Sequence, residues 1–220
     1  MSFPMALAQP QHVFLQALMA RSVMREDTAR SMHAEITGAD PAQDPRAFDR
    51  FWGEIARAIG FLDLDLRRVK WPEDDQLYVG VVNKRAGETA KLATRLAAEQ
   101  IALFRMVLDE ILRDDRNAEH GVDVISALNA TQLWSQRDAG GAGPSQANGG
   151  LSQAQTQSVA KMSKVEKEAT LKTLCEDGWL KQGDDEAGRL RLGVRSFLEL
   201  KDFLLEQAPE RARERWERIM

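Results

Sequence analysis

Hydrophobic positions along this chain follow two periods, and the periods come in nearly the same order twice. From His12 to Met24, the residues Phe14, Leu15, Leu18, Met19 and Val23 fall on one broad face of a helix. Arg25 to Ile36 predicts a second helix, with Met32 and Ile36 as weak apolar anchors and Gly38 as its C-terminal stop. Pro41 and Pro45 punctuate a loop, after which Phe48, Phe51, Trp52, Ile55 and Ile59 mark a third helix ending at Gly60. Leu62-Asp63-Leu64-Asp65-Leu66 then alternates strictly, as a half-buried strand does. Pro72 to Gln76 is a turn, and Tyr78 to Val82 is the returning strand.

The second half opens on a long helix. Leu92, Leu96, Ile101, Phe104, Leu108 and Ile111 form one stripe, and Leu103, Met106 and Val107 make a second side apolar. A helix apolar nearly all round is buried between elements or covered by a partner. Gly121 to Trp134 predicts a short strand leading into a helix. Val165, Ala169, Leu171, Leu174 and Cys175 recur at helical spacing up to Gly178. A turn from Gly183 to Gly188 precedes the alternating run Arg189 to Leu192, which Gly193 closes. A last amphipathic helix carries Phe197, Leu198, Leu200, Phe203 and Leu204. Helices followed by a β-hairpin, twice over, predict an α+β, mainly helical fold of two tandem winged-helix domains. The expected domains span 8–84 and 85–208, with a helical tail at 209–220. The Gly-rich stretch at about 138–150 reads as a flexible insertion, with too few apolar residues to offset the entropy of ordering it.

Composition narrows the function classes. A chain of 220 residues with 43% hydrophobic content supports one large domain or two small ones. A formal charge of −4 and a pI near 5.5 argue against nucleic-acid gripping as the main task. Local basic strips remain: Arg67, Arg68 and Lys70 at the first hairpin and Arg189, Arg191 and Arg195 at the second are the candidate phosphate contacts. The alternative is a solubilising wing. In the helix before the second hairpin, Lys164, Lys167 and Lys172 are balanced by Glu166, Glu168, Glu176 and Asp177. The tail pairs Glu214 with Arg218 and Arg213 with Glu217 at i,i+4. One cysteine allows no intrachain disulfide, which fits a reducing compartment. No apolar run reaches the roughly 20 residues that span a bilayer. The start shows no basic region followed by an apolar one, so no signal peptide is expected and the chain reads as soluble and intracellular.

Candidate chemistry is sparse. Cys175 shares the apolar face of Leu171 and Leu174 and reads as a structural thiol. His12, His33 and His120 are scattered and read as surface or half-buried residues. Asp63 and Asp65 share one strand face, which alternation with leucines makes the solvated outside of a hairpin. The Gly-rich stretch lacks the Gly-Lys-Ser/Thr ending of a phosphate loop. No catalytic residue, metal, cofactor, membrane contact or small-molecule substrate is expected.

The chain resembles the non-SMC element one family, the small RING-bearing subunit of the eukaryotic SMC five–six complex, itself one of the kleisin-interacting tandem winged-helix elements. The resemblance runs through His12 to Met19, through Tyr78 to Leu112 (Val82-Asn83, Lys91-Leu92-Ala93, Ala98-Glu99, Leu103-Phe104-Arg105), and through Lys161-Met162, Glu166, Leu171, Trp179-Leu180 and Leu198-Glu199. It implies a nuclear scaffold in DNA repair and recombination that pairs with a MAGE-like subunit and, through it, the kleisin, touching DNA weakly or indirectly. The partner surface is expected on the first helix, at Phe14, Leu15, Leu18, Met19 and Val23, with the long central helix adding apolar anchors. The family's ubiquitin-ligase activity lies in a zinc-binding RING of eight Cys and His ligands. With one cysteine and three histidines, these residues supply no such set. The alternatives are a ligase component whose RING is absent here, and a stand-alone DNA-binding regulator.

Overall fold

Helix ends in this chain are set by backbone conformation and by local hydrogen bonds to the first and last backbone groups. α1 (Gln9–Arg21) starts with Pro10 in its first turn, and the Ala8 amide donates to Gln11 Oε1 at 2.8 Å. α2 (Glu26–Thr37) ends where Gly38 adopts φ +71° and donates to the Ala34 carbonyl at 2.8 Å. α3 (Ala47–Ile59) is followed by a 3-10 turn, Gly60–Leu62. The structure, a computed structural model, describes residues 6–40, 42–85, 96–129, 153–183 and 188–220. It divides into two units, residues 1–86 with 197–201 and 219–220, and residues 87–196 with 202–218.

In the first unit β1 (Met24–Arg25), β3 (Leu77–Asn83) and β2 (Leu64–Lys70) form an antiparallel sheet in that order. Its register runs from Leu64 opposite Asn83 to Lys70 opposite Leu77, and Met24 lies opposite Val79. The strand begins at Leu64 rather than Leu62, because Asp63 turns the chain with φ +58°. Asp63 therefore does not share a strand face with Asp65, and Phe61 and Leu62 are left 65% and 54% exposed on the turn. The two-residue β1 is too short for any periodicity to announce it.

Phe14 is the hub of this unit's core. Its ring meets Phe51 edge-on at 5.3 Å and Phe48 and Trp52 at 6.2 and 6.5 Å, with Leu18, Ile55, Ile59, Leu66 and Val79 filling in around it. His33, read from sequence as surface or half-buried, is buried with its ring 4.7 Å from Phe51 and 5.7 Å from Phe48. Beside it a charged cluster ties α2, α3 and β2. The buried Glu26 holds Arg30 at 2.6 Å and Arg68 at 3.1 Å, and Arg68 also reaches Asp49 at 2.8 Å. The two guanidinium groups lie over Phe48 at 4.5 Å and Trp52 at 5.0 Å. Segments distant in sequence complete the unit: Arg67 donates to the Leu198 carbonyl at 3.3 Å, Lys70 N–H to the Ile219 carbonyl at 2.8 Å, and Trp71 packs on Phe197 at 5.7 Å.

The second unit is built on α4 (Ala98–Ile111), whose Ile101, Leu103, Phe104, Met106, Val107, Leu108 and Ile111 are all buried. Of the two sequence alternatives, burial between elements holds. α4 packs against α5 (Asp115–His120), α6 (Gln153–Lys161), α7 (Lys164–Glu176) and β5 (Leu190–Leu192), so it presents no apolar anchors to a partner. α7 starts on a capping box in which Ser163 Oγ accepts from the Glu166 amide at 3.2 Å and Glu166 Oε2 from the Ser163 amide at 2.7 Å. β4 (Leu180–Gln182) pairs with β5 with Leu180 opposite Leu192, and Val122 bridges to Leu190 from the other side. The expected strand into a helix is thus seen as that bridge and a helical stretch over 124–129.

The predicted last amphipathic helix is broken at Leu200 into α8 (Val194–Glu199) and α9 (Lys201–Gln207). α10 (Glu210–Glu217) is not held mainly along its own length. Asp115 Oδ1 accepts from the Ala212 amide at 3.0 Å, Arg215 reaches Glu119 at 3.1 Å, and Trp216 is buried. Leu92, the Gly-rich stretch at 138–150 and the turn residues 184–187 lie outside the described residues.

One approach fixes the base of the β4–β5 hairpin. Gly178 takes φ +76°, and a Cβ on Gly193 would sit 2.1 Å from the Gly178 carbonyl oxygen. Gly193→Ala is expected to cost about 2 kcal/mol through forced displacement of that backbone, read as a lower urea midpoint. Arg68→Ala leaves the buried Glu26 carboxylate with Arg30 alone, and a loss of about 2 kcal/mol is expected by the same measurement. Burial, and then the nearby Arg30 charge, lower the His33 pKa from 6.5. The unfolded chain therefore binds the proton more readily, so stability falls as pH drops below 6.5. Urea midpoints at pH 7.5 and 5.5 should fall further for the native chain than for His33→Leu.

Candidate functional site

Five side chains at the first helix were expected to meet a partner, and the structure divides them: four lie on α1, while Val23, expected on the same helix, falls two residues past its end at Arg21. Phe14 and Leu18, four residues apart on the inner face of α1, are fully buried against α3 and offer no surface. Leu15 and Val23 are half-buried, and Met19 is 51% exposed. Leu15 packs partly against the core at the edge of the buried face, and Met19, four residues on, is the exposed member of that flank. Val13, 45% exposed, lies on another side and was not singled out by the periodicity. Phe61 and Leu62 were missed because alternation absorbed Leu62 into a strand and gave Phe61 no role. In the second unit, Ile125 and Val165 are exposed apolar residues of the same kind. The solvent face of α7 around Val165 otherwise consists of charges that pair along the helix, Lys164 with Glu168 at 3.8 Å and Lys172 with Glu176 at 3.7 Å.

The candidate phosphate contacts are already engaged within their own units. Arg67 is mostly buried on the Leu198 carbonyl and lies 3.9 Å from Asp65. Arg68 belongs to the Glu26 cluster. Lys70 pairs with Asp75 at 2.7 Å. Arg191 donates to the His120 carbonyl at 3.3 Å, and Arg189 is half-buried in the wall of a polar cleft of about 210 Å³ with Arg113, Arg116 and Glu110. Binding a phosphate with the first-hairpin residues means giving up an existing partner, which removes most of the gain from neutralising the anion. Lys167, read from sequence as one of the balanced charges on the helix before the second hairpin, is buried, and that burial lowers its pKa.

No reactive centre is assembled by these side chains. The Cys175 thiol is half-buried and burial pushes its pKa up, which keeps it protonated and weakly nucleophilic. His12 and His120 are exposed and far apart in sequence, while His33 is enclosed by rings. Among the described residues no group of three or more His, Cys, Asp or Glu gathers closely enough to hold a metal ion. The donor set therefore does not fit the two zinc sites of a RING. A groove of about 610 Å³ beside α4, α6 and α7 is open and walled largely by short side chains such as Ala97, Ser158, Ala169 and Thr170. Among the described residues no helix is long and apolar enough to cross a membrane.

Comparison with known proteins agrees with the resemblance. Residues 11–200 match the family of the Nse1 non-SMC component of the SMC5-6 complex. The chain is 23% identical over 194 residues to a non-structural maintenance of chromosomes element 1 homolog of Xenopus laevis, covering 87% of this chain and 60% of that protein. It is also 23% identical over 195 residues to the homolog of Xenopus tropicalis, covering 87% and 61% respectively. It thus spans about three-fifths of the length of these curated relatives. A chain of the solved Nse1-Nse3-Nse4 complex superposes with a TM-score of 0.65 at 22% identity, covering 98% of this chain and 78% of that one, a likeness of fold. Since the match at residues 11–200 spans most of the 220 residues, the chain belongs to the Nse1 family of non-SMC components of the SMC5-6 complex.

Proposed function

We propose that the chain acts as a non-catalytic scaffold, a tandem winged-helix subunit of a nuclear SMC five–six complex serving DNA repair and recombination. In this reading it pairs with a MAGE-like subunit and, through that subunit, with the kleisin. The observation that carries the proposal is the family match over residues 11–200. One further observation supports it. A fold neighbour is a chain of an Nse1-Nse3-Nse4 complex, whose other members correspond to the MAGE-like subunit and kleisin of the resemblance. Helix order is consistent with the winged-helix reading: α1, α2 and α3 precede the β2–β3 hairpin, and α7 precedes β4–β5.

The proposed partner surface is the flank of α1 that carries Leu15 and Met19, with Val23 just past the helix end. Phe14 and Leu18 support it from inside. Direct DNA binding by this chain is proposed to be weak, since the hairpin cations are held by their own carboxylates and carbonyls. Ligase activity belongs to a zinc-binding RING, which the residues present do not supply.

Co-expression with the MAGE-like subunit should give a one-to-one complex on size exclusion. Met19→Asp should weaken it at least tenfold with an unchanged circular dichroism spectrum, because an unpaired carboxylate is costly to bury in an interface. Phe14→Asp should instead lose the fold of the first unit. A native chain that ignores the partner at micromolar concentration overturns the scaffold reading, and full binding by Met19→Asp overturns the α1 surface alone.

Metal analysis of the purified 220-residue chain should find no stoichiometric zinc, and chelation should leave its melting temperature unchanged. Two zinc ions per chain would contradict the donor-set argument.

A further inference from the structure

We draw no further inference here: the strongest candidate, the polar cleft of the second unit walled by Arg113, Arg116 and Arg189, sets these three guanidinium groups against Glu110, Asp123 and the Asp114 that pairs with Arg113, so its charges cancel and nothing in it selects a ligand.

Discussion

A carboxylate taken out of water must be repaid by close cations, and Glu26 shows how far that requirement reaches. It draws Arg30 from its own helix and Arg68 from β2, and the two guanidinium planes settle on the rings of Phe48 and Trp52 in α3. Helix, helix and hairpin are thereby held in one arrangement by a charge that none of them can expose cheaply. The same arrangement occupies Arg68, so the pairing that stabilises the first unit also takes up one of the hairpin's three candidate phosphate contacts.

The second unit is organised by a different constraint, the close approach of two glycines. With Gly193 against the Gly178 carbonyl, Ser196 Oγ reaches the Trp179 carbonyl at 2.6 Å and the Arg195 guanidinium lies 4.2 Å over the indole. Trp179 in turn packs on Phe104 at 5.8 Å, which fixes the hairpin to the buried α4. A side chain at Gly193 would collide with the Gly178 carbonyl, so glycine there serves proximity, while Gly178 with φ +76° serves the turn.

Much of this was legible in the sequence. The 3.6-residue spacing located α1, α3, α4 and α7, and the glycines after α2 and α7 marked their ends, because both signals arise locally. The β2 start was misplaced because Leu62 to Leu66 alternates whether or not Asp63 adopts a left-handed conformation. Leu200 broke an apparently continuous helix, which periodicity alone does not detect. His33 is buried by rings from α3, and Arg68 is spent on α2; both depend on partners far along the chain. For the candidate site, the periodicity identified the right helix and a set of apolar residues on it. It could not divide Phe14 and Leu18 from Leu15 and Met19, since that division depends on where α3 lies.

The inclusion of residues 197–201 and 219–220 in the first unit bears on how the chain is made. Arg67 and its carbonyl partner at Leu198 are 131 residues apart. On a ribosome, the aromatic core around Phe14 can condense early, but Arg67, the Lys70 amide and the face of Trp71 must wait until most of the polypeptide has emerged. Such late, non-local closure slows folding and leaves a half-finished sheet edge exposed during synthesis. Damage near Leu198 would accordingly be felt in the hairpin of the first unit, at the opposite end of the sequence.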